Sequence, residues 1–144
     1  LERWGTTPLY DSVMEAVAAV QPAAGRRALI LLSDGVDRYS KASASEVVAY
    51  AREHDVMVYP VSIGRERPAI WSEVASVSGG RSFHVRDADA VASTLAEIVA
   101  ELRRQYLLGY RLPDGPAGWR SIRVRVTRAG ARVRARDGYR ADAR

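Results

Sequence analysis

Cysteine is absent from the 144 residues, which excludes disulfides, thiolate metal sites and thiol redox chemistry. The compartment stays open on that ground, because many exported proteins also lack the residue. Lysine occurs once, at Lys41, and histidine twice, at His54 and His84. With the histidines far apart there is no HExxH helix, and neither a Gly-rich phosphate loop nor a GxSxG elbow occurs. Each histidine reads as a surface or helix-end residue. Ser33 stands beside Asp34 without a histidine base that the sequence supports, so nucleophilic catalysis is not expected. Phosphoryl transfer onto Asp34 would want further carboxylates and a lysine, a need that Lys41 alone serves poorly. No apolar run approaches the roughly 20 residues that cross a bilayer, and the opening LERWGTTPLY is not a signal peptide. The expectation is a soluble segment that is not an enzyme and, lacking an initial methionine, is an excerpt of something longer.

Charge of one sign is scarce in one stretch only. Residues 1–118 carry 13 basic and 15 acidic side chains, whereas residues 119–144 carry 9 arginines against 2 aspartates, so the net charge of +5 belongs to the tail. The length fits one domain, large enough to bury a core but short for a complete doubly wound fold with an appended module.

Residues 28–37, ALILLSDGVD, organise the rest. Leu29, Ile30, Leu31 and Leu32 in succession predict a strand buried on both faces in the middle of a parallel sheet. In open α/β sheets ligands bind beyond the carboxyl ends of the strands, so Asp34 is the first candidate site residue. It reads equally as a turn aspartate capping the next helix.

Around that strand the periodicity alternates. Leu9, Val13, Val17 and Val20 predict a helix over 8–20, with Pro8 in its first turn and Thr7 as its cap. Ser43 and Glu46 have the capping-box spacing before a helix to about residue 54. Residues 56–63 predict a strand in which Pro60 marks an edge or a bulge. A short helix from Ile70 stops at Gly79 and Gly80, a strand spans 82–85, and a long helix runs from Asp87 or Asp89 to about residue 104. Such alternation predicts a mostly parallel, Rossmann-like doubly wound sheet. From residue 106 the pattern changes: Ile122, Val124 and Val126 alternate with Arg123 and Arg125. Strands over 121–127 and 131–136, joined through Ala129 and Gly130, form a small antiparallel unit with its valine face packed and its arginine face solvated.

Oxygen ligands at loop tips suit Mg²⁺, Mn²⁺ or Ca²⁺. Asp34 would supply charge, and the Thr7 hydroxyl, in the loop before the preceding helix, could face the same crevice. The other reading of Thr7 is plain N-capping.

Taken together, Gly5-Thr6-Thr7-Pro8-Leu9-Tyr10-Asp11, then Ser33-Asp34-Gly35-Val36-Asp37, then Gln105-Tyr106-Leu107-Leu108-Gly109-Tyr110 and a closing Asp137-Gly138-Tyr139 resemble the later part of a von Willebrand factor type A (VWA) domain. The likeness is to a bacterial branch that ends in a long helix, a QYLLGY-like strand and an Arg-rich hairpin. It implies a partial, N-terminally truncated VWA domain at 1–105 and a C-terminal hairpin extension at 106–144 packed on it. It further implies a metal-ion-dependent adhesion site in which Thr7 matches the second loop's threonine and Asp34 the third loop's aspartate. The first loop's Asp-x-Ser-x-Ser triplet does not occur here, so the segment alone is expected to hold Mg²⁺ weakly or not at all. The implied function is adhesion to a protein partner that presents an acidic side chain, in a secreted or cell-envelope setting.

Two further expectations concern partners. A parallel sheet cut between strands exposes an edge that invites self-association. The Arg-rich hairpin could bind nucleic acid or another polyanion, but alternating arginine and valine is also an ordinary solvated strand, and no aromatic platform alternates with the arginines.

Overall fold

The computed structural model describes residues 7–110 and 116–142. Elements follow in the order α1 (Leu9–Val20), β1 (Ala28–Ser33), α2 (Ala44–Glu53), β2 (Met57–Ile63), α3 (Ile70–Ser78), β3 (Phe83–Val85), α4 (Asp89–Arg103), β4 (Gly118–Ser121) and β5 (Gly138–Ala141). The fold is mixed α/β. A three-stranded parallel sheet has the order β1-β2-β3, and β4 pairs with β5 in a separate antiparallel sheet.

Alternate residues of the parallel sheet feed two cores. Leu29, Leu31 and Val58 pack with Leu9, Val13 and Val17 of α1, Val47 and Ala51 of α2, and Trp71 and Val74 of α3. Ala28, Ile30, Tyr59 and Val61 pack on the other face with Val85 and with Ile98 and Leu102 of α4. Period-2 alternation in the strands and 3.6-period stripes in the helices therefore meet as helix, sheet and helix layers.

Two expectations about the strands change places. β1 is an edge strand, not the middle one; its residues are only half-buried, and Leu32 is 47% exposed. β2 is central and buried from Val58 to Ser62, although it contains Pro60. The hydrogen-bond alternation explains why. The Met57 N–H donates to the Arg27 carbonyl at 3.0 Å, so odd-numbered residues of β2 face β1 and even-numbered ones face β3. β3 begins opposite Val61, beyond Pro60, so the missing N–H removes no ladder bond. The Val58 N–H, pointing the same way, donates instead to Ser78 Oγ at 3.0 Å. Gly80 closes against the Val58 carbonyl, where a Cβ would lie 2.1 Å from that oxygen.

The capping box of α2 forms: Ser43 Oγ accepts from the Glu46 N–H at 3.3 Å, and Glu46 Oε2 from the Ser43 N–H at 2.7 Å. α3 stops at Gly79, whose left-handed φ of 83° completes its C-terminus.

The C-terminal hairpin departs from the expected one. β4 and β5 lie at its base, and no strand forms over 122–136. One further cross-strand bond, Ile122 N–H to the Asp137 carbonyl at 2.8 Å, extends the ladder. The tip turn, closed by the Ala131 N–H on the Arg128 carbonyl at 3.2 Å, falls where the same register would bring the arms together. Between them the return arm is drawn onto the body. The Arg136 backbone passes so close to Gly79 that a Cβ there would meet its nitrogen at 2.8 Å. Arg136 pairs with Asp55 at 2.8 Å, Arg140 with Glu53 at 3.2 Å, Arg134 with Glu101, and Arg52 of α2 with Asp137 at 2.9 Å. Arginines expected to be solvated thus form part of the attachment, while Val126 is 52% and Val133 39% exposed. Residues 105–110 form no strand, and the expected turn at 113–118 lies partly outside the described residues, as do Gly5 and Thr6.

Candidate functional site

At the carboxyl end of β1 the chain turns through Ser33, Asp34 and Gly35. Gly35 has a φ of 83°, which favours glycine. Its carbonyl accepts from the buried Trp71 Nε1 at 2.7 Å, tying the turn to α3. The turn shapes itself: the Gly35 N–H donates to Ser33 Oγ at 3.1 Å and the Val36 N–H to Asp34 Oδ1 at 3.1 Å. Arg38 Nη1 donates to Asp34 Oδ2 at 3.2 Å. The Val36 N–H, more than any other contact, holds the Asp34 carboxyl below its ordinary value; partial burial opposes this, and Arg38 and the Ser33 hydroxyl add to the lowering. Asp34 is a carboxylate at neutral pH, with its side chain 54% exposed.

The second candidate lies beside this turn. Thr7 accepts at its backbone carbonyl from the Arg38 N–H at 3.1 Å, so the chain before α1 and the chain after β1 run together. Thr7 is exposed and is not the cap of α1. Capping comes from across the chain: the Tyr10 N–H is shared by Asp37 Oδ1 and Ser40 Oγ, both at 3.0 Å, and the Asp11 N–H reaches Ser40 Oγ at 3.2 Å. Asp11 returns the contact, accepting from the Lys41 and Ala42 N–H groups at 2.9 Å each. Those two backbone donors hold Asp11 below the usual carboxylate value. Burial pulls Asp37 upward, but the Ser40 hydroxyl and surrounding N–H groups outweigh it and the net shift is downward.

These bonds separate the roles. Asp11, Asp37 and Ser40 are spent on holding two loops together, which leaves Asp34 and Thr7 at the rim. Sequence reading missed the cross-chain capping; its only trace is that Asp11 and Asp37 close the two motifs quoted above, 26 residues apart in number but joined through Tyr10 and Ser40.

Divalent-cation chemistry is a poor match for this rim as it stands. Asp34 is one carboxylate with a guanidinium on Oδ2, Thr7 offers one hydroxyl, and among the described residues no group of three or more His, Cys, Asp or Glu could hold a metal ion. Six-coordinate Mg²⁺ would keep most of its shell as water here.

The histidines differ. His54 is the helix-end residue expected, closing α2 with Nδ1 2.8 Å from the Tyr50 carbonyl and its ring stacked on Tyr50. His84 lies in β3, with a buried Nδ1 that has no hydrogen-bond partner among the described residues. It lines a cleft of about 450 Å³ with Gly64, Arg65, Arg86 and Asp87, also at the carboxyl ends of strands. No helix among the described residues is long and apolar enough to cross a membrane.

Comparison with known protein families and with curated proteins gives no match. Among solved structures the chain is similar to an uncharacterized membrane spanning protein from Vibrio fischeri, with a TM-score of 0.49 and 23% identity over 61% of this chain and 52% of that one. The chain thus spans about half the length of that protein.

Proposed function

We propose that the chain is the later part of a VWA-type domain acting as a non-catalytic protein-interaction module, with its contact face at the rim formed by Thr7 and Asp34. One observation carries the reading: the Arg38 N–H on the Thr7 carbonyl brings the two loops that hold these residues to the same end of the sheet. Helices on both faces of a parallel sheet, with an ionised aspartate at a strand's carboxyl end, also favour it. The partner is a protein surface with an acidic side chain. A divalent cation between the two acids belongs to the reading only where further oxygen ligands, such as the family's Asp-x-Ser-x-Ser triplet, join Asp34. In this segment Arg38 covers Asp34 Oδ2 and competes with any such ion.

Titration with Mn²⁺, followed by loss of its free electron paramagnetic resonance signal, tests the assignment. Binding is expected to be weak, to fall in Asp34→Ala and Thr7→Ala, and to rise in Arg38→Ala, with unchanged circular dichroism throughout. Equal affinity in the parent and Asp34→Ala would refute the assignment of Asp34.

Self-association is the second partner reading, and the margin of β1 that pairs with no strand among the described residues favours it. Odd-numbered residues of β1 bond to β2, so the backbone groups of Ala28, Ile30 and Leu32 point away from the sheet.

A further inference from the structure

The tip of the C-terminal hairpin has an unusual composition. Residues 122–133, IRVRVTRAGARV, contain four arginines, no acid and no aromatic ring. Seven of the tail's nine arginines fall into two sets. Arg134, Arg136 and Arg140 pair with Glu101, Asp55 and Glu53 of the α/β body. Arg123, Arg125, Arg128 and Arg132 are exposed and pair with no carboxylate among the described residues. Beside this second set stand Val126 and Val133, 52% and 39% exposed.

Each possible occupant must satisfy both features. A second copy would bring the same four arginines against these four, and like charges repel. Nucleic acid would use the arginines but give the valines nothing, and the tip has no ring on which a base could stack. An anionic bilayer takes both: guanidinium groups meet headgroup phosphates, and short aliphatic side chains enter the boundary beneath them.

We propose that the hairpin tip, residues 122–133, docks peripherally on an anionic lipid surface. The inner arginines anchor the hairpin to the body, and the outer four with Val126 and Val133 meet the lipid. Contact of this kind lies in the plane of the interface and needs no spanning helix.

Flotation of the chain with vesicles of phosphatidylcholine alone, or mixed with phosphatidylglycerol, tests this. Binding is expected only to the anionic vesicles and should weaken as salt rises. Arg→Gln at 123, 125, 128 and 132 should each lower partitioning about fivefold, and together by several hundredfold. Val126→Ser with Val133→Ser should lower it roughly tenfold while leaving the charge unchanged. Circular dichroism is expected to stay constant, since these side chains lie outside every helix and strand. Equal binding to neutral vesicles, no binding at all, or full binding by the four-arginine variant would overturn the proposal. So would duplex DNA that binds at the same salt and displaces the chain from lipid with no effect of the valine changes.

Discussion

Ser78→Ala is the perturbation whose cost follows most directly from the architecture. Ser78, at the end of α3, is 6% exposed; its hydroxyl accepts from the Val58 N–H at 3.0 Å and donates to the Ala75 carbonyl at 3.1 Å. Val58 is fully buried in the central strand, at a point where β3 does not yet run alongside. Truncation leaves that N–H without protein or solvent, a penalty of about 1–3 kcal/mol. Alanine's better helix propensity returns at most ~0.5 kcal/mol at a terminal position. The net expectation is destabilisation by about 0.5–3 kcal/mol, or a fall in Tm of roughly 2–10 °C for a chain of this size. Urea unfolding followed by circular dichroism measures it. Ser72→Ala on the same helix is the control: Ser72 is exposed and its hydroxyl meets, among the described residues, only the Ser82 hydroxyl at 3.1 Å, so its effect should stay within about 0.5 kcal/mol. Equal midpoints for the two variants, with equal urea slopes, would show that the Val58 N–H finds another partner and that a side chain does not replace the third strand here.

Two other outcomes follow from the same contacts. Gly80→Ala places a Cβ 2.1 Å from the Val58 carbonyl oxygen, a backbone atom that cannot step aside, and should cost about 3 kcal/mol or more by urea midpoint. Asp11, Asp34 and Asp37 all titrate below the ordinary aspartate value, so the unfolded chain binds more protons than the folded one in that interval. Their contribution is complete above a pH of about 4 and is lost as pH falls through the lowered folded-state values. Urea midpoints measured from neutral to strongly acid pH should drop in that range, and less steeply in Asp37→Asn.

Local patterns with local causes were legible in the sequence. The Ser43–Glu46 capping box, the stop at Gly79 and the valine stripe of α1 each depend on residues within a turn or two, and each occurs as expected. Strand rank was not legible. Leu29 to Leu32 are as apolar as any central strand, yet which strand lies in the middle depends on how many neighbours pair with it, a non-local quantity. Pro60 misled for a related reason: proline costs a central strand only where its N–H would face a partner, and the three-residue length of β3 decides that. In the hairpin, strict alternation predicted the period but not the outcome. Carboxylates on α4 and in the turn after α2 compete for Arg134 and Arg136, and no pattern within 121–136 reveals them. At the site, the placement of Asp34 beyond β1 was legible from the strand-to-turn switch. The Asp37 and Ser40 cap on α1 was not, because its donors and acceptors belong to separate stretches of chain.

The two margins of the parallel sheet are unequal, and that inequality limits how copies could join. Along β1, three residues in alternation present backbone donors and acceptors outward, whereas on β3 only His84 does so, its neighbours Phe83 and Val85 being turned toward β2. Growth by successive strand addition needs two adhesive margins per molecule, so that each newcomer leaves a fresh one behind. With one such margin, the first β1-to-β1 encounter consumes what it uses, and assembly by this route ends at a twofold pair instead of continuing into a fibre.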